Sequence, residues 1–91
     1  MFEHFFAKDA SMQKVRIWGA VKVDHKIYRD NEILRLIGKP IVHWEFAGDL
    51  PDDECDICVG FGGEKRDFLG SDKYALQNAL DYAKRCLGVV I

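Results

Sequence analysis

Cys55-Asp56-Ile57-Cys58 is a C-x-x-C, the pattern in this chain that most directly invites chemistry. With Cys86 and one of His4, His25 or His43 it would complete four zinc ligands of the usual sulfur and nitrogen kind. The surrounding sequence argues against a metal. Both cysteines fall in an alternating, strand-like run, where side chains three residues apart point to opposite faces instead of to one ion. No second paired motif exists. A redox role needs the motif at a helix N-terminus, where the dipole lowers a thiol pKa, and a strand supplies none. Cys55 is therefore read as a small core residue and Cys58 as a residue of the outer face.

Acids are the next resource. Residues 41–63 hold no Lys or Arg but six carboxylates: Glu45, Asp49, Asp52, Asp53, Glu54 and Asp56. Together with His43 they contain the groups that general acid–base work needs, but such groups must converge in a pocket. A consecutive acidic loop exposes them instead. Asp49, Asp52, Asp53 and Glu54 are hard oxygen donors, yet the calcium-loop pattern with its central glycine and distant glutamate is absent. The stretch reads as a solvated loop or as a docking patch for a basic partner, with Trp44 just upstream as an aromatic anchor.

Two further patterns complete the search. Gly60-Phe61-Gly62-Gly63 is glycine-rich, but a phosphate cradle must open onto a helix, and the following residues look extended. It reads as a hairpin turn. Lys14, Arg16, Lys22, Lys26, Arg29, Arg35 and Lys39 recur along the first part of the chain, and Arg16 and Lys22 share a face with Trp18. Basic and aromatic side chains on a sheet face bind single-stranded nucleic acid in several folds. The sequence patterns of those folds are missing, and the formal net charge is −2, which speaks against a general attraction to phosphate.

The elements that must position these residues follow from periodicity. Val15 to Ile27 alternates, with Val15, Ile17, Gly19, Val21 and Val23 on one side and Arg16, Trp18, Ala20, Lys22 and Asp24 on the other; this predicts one half-buried strand. Trp18 then lies on the more polar face, as a binding aromatic or under an N-terminal arm. Tyr28 to Asn31 reads as a turn. Glu32 to Ile37 fits either a short helix capped by Asp30 or a second strand, and a strand is favoured because a hairpin with the first is topologically cheap. Ile41 to Phe46 alternates again after Pro40 and reads as an extended edge segment, with Val42, Trp44 and Phe46 sharing a side. Cys55 to Phe61 and Lys65 to Leu69 read as a strand pair around the glycines. Gly70 to Leu87 is predicted helical, capped by Ser71 or Asp72 and stopped by Gly88. Its apolar stripe is Leu76, Ala79, Leu80, Ala83 and Leu87, worth roughly 6–12 kcal/mol if buried. Lys73, Gln77, Lys84 and Arg85 are read as its solvated face. The sum is an α+β domain: an antiparallel meander of about four strands with one C-terminal helix packed on one face.

Ninety-one residues, 48% hydrophobic and 31% charged, suit one domain. Residues 1–13 read as an N-terminal arm that is flexible or packs at the edge through Phe2, Phe5 and Phe6, and they lack the pattern of a secretory signal. There is no apolar run long enough to span a membrane. Three cysteines make a poor disulfide framework and point to a reducing, cytoplasmic setting.

Ile37-Gly38-Lys39-Pro40, Cys55 with Ile57, Gly60-Phe61-Gly62, and Gly70-x-Asp72 before an Ala/Leu-rich stretch form a recognisable series. Over residues 33–88 the chain resembles a family of small bacterial and phage-associated domains of unknown function. The family usually carries a tryptophan before the cysteine, where this chain has Glu54, and its Ala-Leu pair falls one residue later than Ala75-Leu76. The resemblance implies a strand–loop–strand–strand–helix order and no catalytic activity.

These readings converge on a non-enzymatic protein-binding module, monomeric or homodimeric and without a cofactor. In character it is an inhibitor or an immunity or anti-defence protein. Its contact residues are Asp49, Asp52, Asp53, Glu54 and Trp44. The alternatives are a small metal-dependent enzyme or metal-binding protein using Cys55, Cys58 and His43, and a single-stranded nucleic-acid binder using the Trp18 face.

Overall fold

The computed structural model describes residues 14–48 and 56–88, and every structural statement below concerns those residues. The N-terminal arm, residues 1–13, therefore lies outside the description. Six strands form two antiparallel three-stranded sheets, accompanied by a 3-10 helix and one C-terminal α-helix, so the fold is α+β. The strands are β1 (Arg16–Trp18), β2 (Ala20–Val23), β3 (Lys26–Arg29), β4 (Trp44–Phe46), β5 (Asp56–Phe61) and β6 (Glu64–Leu69). One sheet has the order β1-β5-β6 and the other β3-β2-β4. The helix, α1, spans Ala75–Leu87 and lies against β5 and β6. None of the described helices is long and apolar enough to cross a membrane.

The expected four-stranded meander is thus replaced by two sheets, and Gly19 is the reason. The predicted single strand of residues 15–27 is interrupted there. Gly19 has φ +150°, a backbone state that side chains rarely allow, and it redirects the chain from β1 in one sheet to β2 in the other. The alternation survives the break. Val15, Ile17, Val21 and Val23 are all buried, and Trp18 stays on the outer side.

Downstream of β2 the same run turns again. Asp24 and His25, at φ +51° and +67°, form a two-residue hairpin turn that pairs Val23 with Lys26. Two consecutive positive φ values match the twist of the flanking strands and are usually supplied by Asn-Gly or Asp-Gly. A histidine in the second position carries a steric cost that glycine lacks. His25→Gly should therefore raise stability by about 0.5–1 kcal/mol after allowing for the freer unfolded chain. Thermal unfolding would read this as a midpoint a few degrees higher, and an equal or lower midpoint would contradict it.

Residues 30–36 correct a second expectation. Asp30–Leu36 is a 3-10 helix and not a strand, while Tyr28 and Arg29 belong to β3. Ile33 and Leu36 are three apart, which is one full turn of such a helix, and both are buried. Polar side chains decide the matter. Asn31 Oδ1 accepts a hydrogen bond from the Ile17 amide at 3.0 Å, and Asp30 Oδ1 accepts one from the Gly19 amide at 3.2 Å. The Asp30 amide in turn donates to the Gly19 carbonyl at 2.8 Å. These bonds satisfy the edge of β1 that β5 does not cover, a role another strand would otherwise fill.

Cores of both sheets meet in one cluster that joins Val15, Ile17, Val21 and Val23 with Ile33, Leu36, Ile57 and Val59 and with Leu76, Ala79, Leu80 and Ala83 of α1. The β5–β6 hairpin turns at Gly62-Gly63 as expected, with Ile57 facing Phe68 and Val59 facing Arg66. The helix starts later than predicted, at Ala75. Residues 70–74 form a turn in which Asp72 Oδ1 accepts from the Tyr74 amide at 2.8 Å and the Asp72 carbonyl accepts from the Ala75 amide at 3.0 Å. Gly88 ends the helix in the left-handed conformation, as expected. The stripe is rotated at its C-terminal end. Leu87 is 44% exposed, whereas Lys84, expected in solvent, is only 9% exposed. Lys84 follows Ala83 and Leu80 around the buried face, and its aliphatic stem is long enough to cover apolar surface.

Candidate functional site

Sheet β1-β5-β6 has two faces of different character. One packs under α1 through Ile17, Ile57, Val59 and Phe68. The other carries two cross-strand rows fixed by the register. Arg16, Gly60 and Lys65 form one, and Trp18, Cys58 and Asp67 form the other. Trp18 leans from its own row over the neighbouring one. A Cβ placed on Gly60 would stand 2.9 Å from its Cζ3 and 3.0 Å from its Cη2, so the indole tip rests directly on the glycine backbone. The Lys65 ammonium lies 5.1 Å from the indole centroid, within cation–π range. The ring is nevertheless 41% exposed. Beside it runs a groove of about 330 Å³, floored by Gly60 and the Gly62-Gly63 turn and walled by Lys14, Arg16, Lys65 and Glu64. Three cations face one carboxylate there.

A second surface centres on Trp44. Its indole packs edge-on against Phe46 with centroids 4.9 Å apart, and both rings are half-buried against the core. Trp44 also lines an open cleft of about 280 Å³ between the segment leading into β4 and the start of α1. Val42, expected on the same side of a strand as Trp44, precedes β4 and is 97% exposed at the rim. Tyr74 faces it from the turn before α1 and is 59% exposed, with Lys73 over its ring at 5.0 Å. Ile41, Val42, Trp44 and Tyr74 thus make the apolar and aromatic part of a mixed lining that Lys73 and Gln77 complete.

Of the predicted contact residues, Trp44 is placed at this cleft, and Asp49, Asp52, Asp53 and Glu54 lie outside the described residues, as does Cys55. The remaining groups of the metal reading do not converge. Cys58 lies on the open face beside Asp67, Cys86 lies on α1 beside Tyr82, and His43 lies by β4 with Nε2 4.0 Å from Glu45. Among the described residues no three of His, Cys, Asp and Glu form a group that would hold a metal ion. Burial, then a hydrogen bond to Asp67 and the charge of Asp67, push the Cys58 thiol above its ordinary pKa. A thiol so held is a poorer nucleophile and metal ligand at neutral pH. Glu45 is shared between His43 and Lys22, whose ammonium is 3.9 Å away; all three are solvent-exposed and the pairs contribute little.

Two contributors to these surfaces were missed by sequence reasoning. Lys65 joins Arg16 and Trp18 only through the β1-β5-β6 register, which becomes visible once β1 is paired with β5 instead of with its sequence neighbours. Tyr74 lines the same cleft as Val42 across a separation of 32 residues, for which the chain carries no local signal. No protein-family model matches the chain, and no curated protein or solved structure matches it either.

Proposed function

We propose that this chain is a small non-enzymatic binding module that grips a protein partner at the Trp44 cleft. The carrying observation is Val42, an aliphatic side chain left 97% exposed near Trp44 and Tyr74 at the mouth of an open cleft of mixed lining. Single exposed apolar residues are ordinary, whereas an aliphatic residue adjoining two aromatics at a concavity has the composition of an interface hot spot. The charge of the partner is inferred from composition and not from the cleft lining, whose one charged residue is Lys73. Residues 41–63 hold six acids and no Lys or Arg, so the complementary surface is basic. Acidic residues steer and speed association with a basic partner, while an apolar anchor holds the complex. An inhibitor or antagonist that must find its target quickly and stay bound uses this division of labour.

Affinity capture from a lysate of the native cells, identification of the retained protein and titration of that protein in pure form would test the reading. Val42→Asp should weaken binding by about 2 kcal/mol or more, and Trp44→Ala by about 2–4 kcal/mol. Val42 is the cleaner probe because its removal touches no core contact. Asp52→Lys/Asp53→Lys should slow association at low salt by about tenfold and leave dissociation nearly unchanged. Equal affinity of wild type and Val42→Asp for the captured protein would remove the cleft from the function.

A further inference from the structure

We infer that the open face of sheet β1-β5-β6 is a second binding site, and that its ligand is an unpaired nucleic-acid strand with one base stacked on Trp18 and its phosphates on Arg16, Lys65 and Lys14. Net charge argued against this class of ligand, but a ligand meets the local field. The chain is −2 overall, yet the groove beside Trp18 presents three cations and one carboxylate. Their arrangement fits a nucleotide better than a protein loop. The indole is held by one edge on Gly60, with no side chain beneath its tip, and it stays 41% exposed, so it offers a fixed platform that loses little freedom on stacking. The Lys65 ammonium lies over the ring at 5.1 Å from its centroid, on a flexible side chain that swings to the phosphate as a base takes its place, and Arg16 lies one row over, across Gly60. Charges flanking an aromatic platform are what a backbone phosphate next to a stacked base requires. The groove, about 330 Å³, is the size of one base with its sugar rather than of a duplex. A duplex would hide its base faces from Trp18, and selectivity for single strands follows.

Nothing in this site depends on the Trp44 cleft, so the two surfaces stand or fall separately. The test is fluorescence anisotropy of labelled oligothymidylate and oligouridylate at low salt, with a duplex, a free mononucleotide and a Glu-rich peptide as comparisons. The strand should bind saturably and more tightly than any of the three. Trp18→Ala should lose about 5- to 150-fold, the range for one stacked base, and Trp18→Phe should keep most of the affinity. The logarithm of the binding constant should fall with the logarithm of salt with a slope of about −2 for three phosphate contacts, and Lys65→Ala should reduce that slope by about 0.7. Gly60→Ala supplies an independent variant, since its Cβ displaces the indole without deleting it. It should weaken strand binding while the far-UV circular dichroism stays that of wild type. Absence of saturable binding, equal binding by Trp18→Ala, or equal affinity for the duplex would overturn the proposal. So would a mononucleotide or acidic peptide bound as tightly as the strand.

Discussion

Gly19→Val is expected to destabilise the protein by about 2–5 kcal/mol, combining the cost of a strained backbone with that of an overfilled contact. Both contributions are read directly at the site. The φ of +150° disfavours any side chain, and a Cβ would stand 3.1 Å from the Asp56 carbonyl oxygen and 3.3 Å from the Ile57 Cα. These are backbone atoms of the central strand of the neighbouring sheet and cannot swing aside as a side chain can. The residue also exchanges two hydrogen bonds with Asp30, so a shift of Gly19 would loosen the 3-10 helix as well. A domain of this length has roughly 5–14 kcal/mol in total, at 0.05–0.15 kcal/mol per residue, and the loss is a large share of that. Urea unfolding followed by circular dichroism would show a lower midpoint with a similar slope. A Gly19→Val protein as stable as wild type would mean that the passage between the two sheets is not built on this backbone state.

Ile57→Ala should cost a comparable amount, about 2–5 kcal/mol, for a different reason. Ile57 is fully buried in β5, with β1 on one side, β6 on the other and α1 across its face. Ala79 and Ala83 are buried in the same core cluster, and truncating Ile57 beside them leaves a cavity. The residue also adjoins Gly19, since its Cγ1 lies 3.5 Å from the position of a Gly19 Cβ. A double-mutant cycle should therefore be non-additive. Removing the Ile57 side chain relieves part of the crowding caused by Gly19→Val, giving a coupling of about 0.5–3 kcal/mol, while the backbone strain and the contact with Asp56 persist. Strict additivity would show that the two residues act through separate parts of the fold.

What could be read from the chain and what could not divide along physical lines. Alternation placed Ile57, Val59, Val21 and Val23 inside and Trp18 outside, because period two depends only on the pleat. The same regularity concealed Gly19. A strand that changes sheets without changing parity looks identical in sequence to one that does not. The Asp24-His25 turn was hidden because it lacks the glycine that normally marks it. At residues 32–37 local propensity was balanced, and the choice was made by Asn31 and Asp30 bonding to amides that are 14 and 11 positions away. The C-terminal helix and its Gly88 stop were legible, but its start was not, since Asp72 organises a preceding turn, and neither was the burial of Lys84 in place of Leu87. Of the two surfaces, the Trp18 face was foreseeable from parity, and its electrostatics required the register with β6. Trp44 is proposed as an anchor from its residue type, whereas the cleft around it depends on the approach of Tyr74.

Among the described residues β6 is the outermost strand of its sheet, and one edge of it meets no other strand. Such an edge is a template on which another chain can add itself, and proteins that leave one uncovered risk growing into assemblies. Here the strand reads Glu64-Lys65-Arg66-Asp67 before Phe68, with four consecutive charges, two cations between two carboxylates, over most of its length. An incoming strand would have to desolvate that row or match its sign sequence. Lys65 is thus a guard of solubility as well as a wall of the Trp18 groove, and Arg66, stacked over Phe68 and Tyr82 at 5.8 and 5.3 Å, shields the apolar end of the same edge. Neutralising these residues to abolish binding would also strip protection from self-association, so the oligomeric state of such variants has to be read alongside their affinity.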